Sequence, residues 1–141
     1  MIEERTLILV KPDGVAAGHI GDVISRIERR RFQINALKVV TATDELINEH
    51  YNELVGEPFF PSIANFMKEG PVVAIIASGT NIIDTFHKMA GATKPSEAAI
   101  GTIRGDFARD WSVGAIRNVV HSSNNVENAE REIAIWFPEE V

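Results

Sequence analysis

The residues best suited to chemistry lie around His121, where a short apolar stretch gives way to a polar loop. Ile116, Val119 and Val120 are strand formers, so they predict a strand that ends at the histidine. The loop leads into a predicted helix, and a helix N-terminus is a favourable place for a phosphate. A neutral imidazole can attack a phosphoryl group without a strong base, because its unperturbed pKa is about 6.5. His121 is therefore a candidate nucleophile, although a histidine at a strand end is also compatible with a structural role.

The helix after the loop is predicted to begin at Asn124. Asparagine is a good N-cap residue, and Glu127 three positions later completes a capping-box pattern. At about 100° per residue, Glu132 falls at the border of the apolar face. From there its carboxylate could orient the imidazole, directly or through Ser123. The apolar positions recur at helical spacing: Val126, Ala129, Ile133, Trp136 and Phe137.

Length and composition predict one soluble globular domain spanning residues 1–141. A chain of 141 residues can bury a core without covalent staples, and its 45% hydrophobic and 24% charged content is ordinary. There is no cysteine, which excludes disulfides and thiolate metal sites and fits a cytoplasmic location. No signal-peptide pattern and no membrane-length apolar run is present, so we expect no membrane partner. The net charge of −6 argues against nucleic acid as the main partner.

The first strand is predicted at 6–10 and runs into the sequence Lys-Pro-Asp-Gly at 11–14, which predicts a turn. Lys11 is thereby held at the carboxyl end of a strand. Further strands are predicted at 32–40 and 72–77. Helices are predicted around 20–27, from Thr43 or Asp44 to Gly56, at 62–69 and at 80–90.

The element order is β-α-β-α-α-β-α-loop-β-α. Without the extra helix pair this order is βαββαβ, which predicts an α+β, ferredoxin-like sandwich: a four-stranded antiparallel sheet with helices on one face. The loop at 92–115 has no convincing regular element, and loops of that length are usually functional or disordered. Its apolar residues, including Ile103 and Trp111, favour packing, and a second subunit is one possible partner.

Three motifs in chain order resemble those of the nucleoside diphosphate kinase family. They are Lys-Pro-Asp-Gly-Val at 11–15, Gly-Thr-Ile-Arg-Gly-Asp-Phe at 101–107, and Asn118-x-x-His121 followed by a helix that carries Glu132. The resemblance covers nearly the whole chain and implies the same ferredoxin-like fold. It also implies a homo-oligomer, commonly a hexamer or a tetramer.

The resemblance implies that the γ-phosphate of an NTP is transferred to an NDP through a phosphohistidine on His121, with little base specificity. Covalent storage of the phosphoryl group implies ping-pong kinetics. The family's roles carry over by position, with catalysis by His121, Lys11, Glu132 and Ser123, and nucleotide contacts by Lys11, Tyr51, Phe59, His87, Thr93, Arg104 and Asn118.

In the implied phosphoryl transfer, the metal ion is expected to bind together with the nucleotide. Mg²⁺ would bridge the nucleotide phosphates rather than occupy an all-protein cage. The four histidines, His19, His50, His87 and His121, have no metal-ligand spacing, so we expect no intrinsic metal site. The chain also lacks a P-loop pattern, so side chains must meet the phosphates.

The chain departs from the family pattern in three places. Ser122-Ser123-Asn124 replaces the usual Gly-Ser-Asp, His87 replaces a phosphate-contacting arginine, and the segment between Arg104 and Asn118 is a few residues longer. These departures leave open a catalytically weak nucleotide sensor on the same fold. A small-molecule regulator in which His121 is structural also stays open, because the fold alone hosts many functions.

Overall fold

The computed structural model describes residues 3–140, which form a four-stranded antiparallel sheet packed between helices. The strands are β1 (Glu3–Val10), β2 (Gln33–Val40), β3 (Val72–Thr80) and β4 (Val120–Ser122), in the spatial order β2-β3-β1-β4. The predicted α+β, ferredoxin-like class is confirmed. The helices are α1 (Pro12–Ala16), α2 (Ile20–Arg29), α3 (Asp44–His50), α4 (Phe60–Met67), α5 (Ile82–Ala90), α6 (Ile103–Phe107) and α7 (Val126–Trp136), with short 3₁₀ turns at Pro95–Glu97 and Pro138–Glu140.

The sheet has a hydrophobic core on each face because side chains alternate along its central strands. On β1, Ile8 and Val10 join the core formed with α2 and α5, while Leu7 and Leu9 join the core formed with α3, α4 and α7. All four side chains are fully buried. Helices α2 and α5 are those of the predicted βαββαβ unit, and the extra pair α3–α4 covers the opposite face together with α7.

The sequence-based prediction of a turn at 11–14 is wrong. Pro12 opens the short helix α1, because proline is tolerated at the first helical position, where its missing N–H is not needed. The helix predicted to run to Gly56 ends at His50 instead. There Arg131 of α7 donates hydrogen bonds to the carbonyl oxygens of Glu49 and His50. A tertiary contact thus caps this helix end.

The prediction for the segment around His121 also needs correction. His121 does not end a strand but is the middle residue of β4, where it lies opposite Leu9 of β1. The N-cap of α7 is Asn125 rather than Asn124, and its side chain accepts a hydrogen bond from the Asn128 N–H at 2.8 Å. The predicted capping box is therefore absent.

The segment 92–115 is more ordered than the sequence predicts. It contains the 3₁₀ turn and α6, which are too short to give a periodic signal. Ile103 is buried, but Ile100 and Trp111 remain 92% and 54% exposed within this single chain. The other predicted elements exist with ends shifted by one to three residues.

Candidate active site

His121 forms the centre of a buried hydrogen-bond network. Its Nε2 lies 2.9 Å from Oε1 of Glu132, and the two side chains are only 18% and 6% exposed. The Ser123 hydroxyl donates to the same carboxylate oxygen at 2.7 Å. Ser123 Oγ in turn accepts a hydrogen bond from the Leu7 N–H of β1 at 3.2 Å. Strand β4 and helix α7 thus hold the imidazole in one orientation.

The protonation states of this pair follow from its surroundings. Burial alone would raise the pKa of Glu132, but hydrogen bonds from His121 and Ser123 outweigh it and lower that pKa. Burial lowers the pKa of His121, and the nearby cations Lys11 and Arg104 add to this effect against the opposing influence of Glu132. At neutral pH the pair is a carboxylate and a neutral imidazole.

The hydrogen bond to Glu132 fixes which nitrogen of His121 can react. A carboxylate only accepts hydrogen bonds, so Nε2 must carry the proton. Nδ1 of His121 consequently keeps its lone pair and has the chemistry of a candidate nucleophile. Glu132 can also stabilise the positive charge that the ring acquires when Nδ1 forms a new bond.

Two cations lie beside this network. Lys11, at the end of β1, donates from Nζ to Oδ1 of Asn118 at 2.8 Å. Burial, followed by the charge of Arg104, lowers the pKa of Lys11 to about 8. Arg104 of α6 donates to three backbone carbonyls, those of Gly91, Asn118 and Val120, and burial lowers its pKa to about 10. Both side chains are predominantly protonated at pH 7, so the site is electropositive.

A strained residue lies between the two cations and His121. Val119 has φ 72°, an outlier for a β-branched side chain, and such strain costs about 1–3 kcal/mol. Its N–H donates to Oδ2 of Asp13 at 3.0 Å, and its carbonyl accepts from the Lys11 N–H at 2.8 Å. A Cβ on Gly14 would lie 2.9 Å from the Val119 side chain, so the close approach requires glycine. The segment 11–14 therefore holds the strained backbone that precedes His121.

A second glycine positions Arg104. A Cβ on Gly105 would lie 1.9 Å from the carbonyl oxygen of Ala99, so only glycine fits there. The Gly105 N–H donates to the hydroxyl of Thr102, the N-cap of α6, at 3.0 Å. This compact turn aims the guanidinium at the β4 backbone.

A cleft of about 500 Å³ opens between the α3–α4 pair and the segment 93–118. Asn118 connects two segments at the polar end of the cleft, because its side-chain amide donates to the Thr93 carbonyl at 2.8 Å. Burial raises the pKa of Tyr51 to about 12, so its hydroxyl stays protonated and can donate. The lining residues are Lys11, Tyr51, Leu54, Phe59, Ser62, Ile63, Phe66, Thr93, Gly114, Ala115, Ile116 and Asn118.

His121 lies next to this cleft rather than in its wall. It lines a smaller cavity of about 290 Å³ together with His50, Glu132 and Arg131. Tyr51 and Leu54 line both cavities, so the two cavities are direct neighbours.

The structure brings most of the predicted site residues together. Five of the seven predicted nucleotide contacts line the cleft. Arg104 does not line it, but donates to the carbonyls of Asn118, which lines the cleft, and Val120, which precedes His121. His87 is the exception, because it lies half-buried on α5 and does not line the cleft. Sequence reasoning missed the roles of His50 and Asp13, and no spacing in the sequence signals either.

A sequence profile of the family described as nucleoside diphosphate kinase matches residues 4–141. The chain belongs to the nucleoside diphosphate kinase family. It is 48% identical over 137 residues to the nucleoside diphosphate kinase of Drosophila yakuba, covering 97% of this chain and 89% of that protein. It is 50% identical over 135 residues to the nucleoside diphosphate kinase of Streptococcus agalactiae, covering 95% and 98%.

Solved structures of nucleoside diphosphate kinases share the fold closely. A transition-state mimic of the Borrelia burgdorferi enzyme with bound vanadate and ADP superimposes with a TM-score of 0.91 at 38% identity, covering 97% of this chain and 88% of that one. The Halobacterium salinarum enzyme in complex with CDP gives 0.90 at 37% identity, with 99% and 90% covered.

Family membership identifies the chain as a phosphotransferase with nucleoside diphosphate kinase activity, which uses nucleotide substrates and a divalent metal ion. The sensor and regulator alternatives are not favoured. Between residues 3 and 140, no helix is both long and apolar enough to span a bilayer.

Proposed function

We propose that this chain moves the γ-phosphoryl group of an NTP to an NDP by a ping-pong mechanism, through a phosphohistidine on His121. The observation that carries the proposal is the 2.9 Å contact between Nε2 of His121 and Glu132, which leaves the Nδ1 lone pair free. Base specificity is low, and ATP is the typical donor.

In the first half-reaction, Nδ1 of His121 attacks the γ-phosphorus. A P–N bond forms as the bond to the β–γ bridging oxygen breaks, and the NDP leaves with that electron pair. Glu132 balances the positive charge of the phosphorylated ring. In the second half-reaction, a terminal oxygen of another NDP attacks the phosphorus, and the electrons of the P–N bond return to Nδ1.

The cations supply the electrostatic part of catalysis. Lys11 lines the cleft, and both Lys11 and Arg104 hydrogen-bond to Asn118 at its polar end. There they would offset the charge that builds up on the transferred group. The Tyr51 hydroxyl and Thr93 add donors there, and Ser123 keeps Glu132 in place. Asn118 and Lys11 contact the ribose.

Low base specificity follows from the apolar end of the cleft. Phe59 lines it and is 52% exposed, so its ring can cover the face of a base. Every base offers a π face to such a contact.

The metal ion is Mg²⁺, and it arrives with the nucleotide. No aspartate or glutamate lines the cleft, whereas Mg²⁺ prefers carboxylate and phosphate oxygens. The phosphates therefore supply its anionic ligands, and bound Mg²⁺ would offset charge on the transferred group. We therefore expect the cleft itself to provide no dedicated metal site.

The kinetic test is an exchange assay with ATP and GDP as the substrate pair. The proposal predicts parallel lines in double-reciprocal plots when GDP is varied at several fixed ATP concentrations. Intersecting lines would indicate direct transfer in a ternary complex and would contradict it. Binding of both nucleotides without any exchange would instead support the sensor.

We expect the protein to assemble into a homo-oligomer, a hexamer or a tetramer, through the segment 92–115. Support comes from apolar side chains left exposed there: Ile100 is 92%, Val113 82% and Trp111 54% exposed. Trp111→Asp should shift the assembly to smaller species, and multi-angle light scattering checks this. An unchanged mass would contradict this expectation. The matched control is Val126→Asp on α7, because Val126 is 51% exposed, and it should leave the mass unchanged.

His87 is expected to act as a weak substitute for an arginine at the phosphates. It lies one turn before Gly91, whose carbonyl holds Arg104. His87→Arg adds a permanent charge and should tighten NDP binding by about 1.5 kcal/mol, roughly tenfold. Calorimetry measures this affinity. The control is Lys88→Arg at the neighbouring position, where the lysine side chain is 77% exposed, and it should leave NDP affinity unchanged. Unchanged affinity in His87→Arg would remove His87 from the phosphate site.

We also infer that residues 1–141 form a single kinase domain and that the enzyme acts in the cytoplasm. The profile match over 4–141 supports the first inference. The cysteine-free composition is typical of the second.

A further inference from the structure

A second histidine packs against the nucleophile. His50, at the end of α3, is 4% exposed, and its ring meets the ring of His121 edge to face with centroids 4.5 Å apart. On its other side, the indole N–H of Trp136 donates to Nδ1 of His50 at 3.0 Å. His50 therefore lies between the catalytic network and a buried tryptophan of α7.

This arrangement has the composition of a metal site. One nitrogen of His50, one nitrogen of His121 and one oxygen of Glu132 all lie within 4.8 Å of one another. Two imidazoles and a carboxylate form a ligand set of catalytic zinc sites, in which each ligand atom lies about 2.0–2.2 Å from the metal. A modest closure of the three side chains would satisfy that geometry, and the cavity of about 290 Å³ beside them gives access.

The contact with Trp136 prevents His50 from acting as a ligand. An indole N–H can only donate, so the Nδ1 lone pair of His50 is occupied by that hydrogen bond. A neutral imidazole carries one proton, which must then reside on Nε2. Neither nitrogen of His50 has a free lone pair for a metal ion.

His50 also stays neutral at working pH. Burial lowers the pKa of His50 well below the ordinary value, and the positive charges of Arg131 and Lys11 lower it further. The same cations disfavour the approach of another cation.

We propose that Trp136 and His50 form a tautomer lock, in which the Trp136 N–H holds the proton of His50 on Nε2. The lock keeps Zn²⁺ and similar transition-metal ions off His121, so that Nδ1 of His121 remains available to the nucleotide. The lock acts as a specificity device, since it lets the site work with phosphate-bound Mg²⁺ while it denies a third ligand to metals that prefer imidazole. Its benefit rests on the proposed role of His121 as the nucleophile, but the lock itself is defined by Trp136 and His50.

The test is Zn²⁺ binding to nucleotide-free protein, measured by calorimetry in excess Mg²⁺. Wild-type protein should bind Zn²⁺ weakly at this site. Trp136→Phe allows Nδ1 of His50 to take the proton, which leaves Nε2 of His50 able to bind metal. The affinity for Zn²⁺ should therefore rise by roughly 10- to 100-fold, the range in which outer hydrogen-bond partners tune metal sites. The double variant with His50→Gln should lose that gain.

Two results would overturn the lock. One is wild-type protein binding one equivalent of Zn²⁺ as tightly as Trp136→Phe, with the binding abolished by His50→Gln. The other is a folded Trp136→Phe variant with no gain in affinity. Because the titration contains no nucleotide, its outcome is independent of the exchange assay that tests the kinase mechanism.

A measurement on the wild-type protein covers the case in which Trp136→Phe does not fold. Nitrogen-15 NMR of labelled histidine reports the tautomer of each ring. The lock predicts a neutral His50 with its proton on Nε2 across the pH range of activity. A proton on Nδ1 of His50 would overturn it.

Discussion

Replacing Glu132 with glutamine is expected to slow phosphorylation of His121 by about 10²- to 10⁴-fold. The carboxylate lies 2.9 Å from Nε2, holds the reactive tautomer and balances the charge that the ring acquires. A neutral amide keeps the shape but loses the charge, and it can present either a donor or an acceptor to the ring. Rapid-quench measurement of the first half-reaction gives the rate directly.

Ser123→Ala is the matched control for this variant. It removes the 2.7 Å hydrogen bond to Glu132 but leaves the carboxylate next to His121. We expect a loss of about tenfold at most, with some loss of stability because Ser123 also accepts from the Leu7 N–H. A Glu132→Gln variant that binds ATP and phosphorylates at the wild-type rate would show that another group orients the nucleophile.

The second large effect is expected at the two cations. Each charge-assisted contact with phosphate is worth about 1.5–3 kcal/mol, so Lys11→Ala and Arg104→Ala should each lower kcat/KM by roughly 10- to 150-fold. Steady-state exchange kinetics measure this, with thermal unfolding as a check on folding. Arg29→Ala, which removes an exposed arginine of α2, is the control and should leave kinetics unchanged. Wild-type kinetics in Lys11→Ala or Arg104→Ala would place the phosphate site elsewhere.

The buried Lys11 also predicts how kcat/KM changes with pH. The pKa of Lys11 is lowered to about 8, and its protonated form is the one that attracts phosphate. In the free enzyme, kcat/KM should therefore fall as pH rises through about 8. Lys11→Arg should move that fall to higher pH, because arginine stays protonated there.

Much of the fold could be predicted from local pattern. The fully buried run of β3 and the amphipathic face of α2 are visible in sequence, because periodicity follows burial. The sequence-based predictions are wrong where contacts between residues distant in the chain determine the ends of an element. Helix α3 ends at His50 because Arg131 caps its carbonyls, and β4 includes His121 because it pairs with β1.

The active site shows the same division. The sequence could single out Lys11, Arg104 and His121 as candidates because they match the family pattern, and their catalytic roles stay predictions. His50 could not, because its role depends on the direction of the Trp136 N–H and on ring packing between separate helices. Asp13 was hidden for a similar reason, since it acts through the backbone of a strained valine far along the chain.

The central claim is that the phosphoryl group rests on His121, and incubation with γ-labelled ATP tests it most directly. We predict that, in the absence of an acceptor, wild-type protein takes up one label that is lost in acid and stable in alkali, and that added NDP removes it. His121→Ala should take up none. Full labelling of His121→Ala, or nucleotide exchange by wild-type protein without any labelled intermediate, would contradict the mechanism.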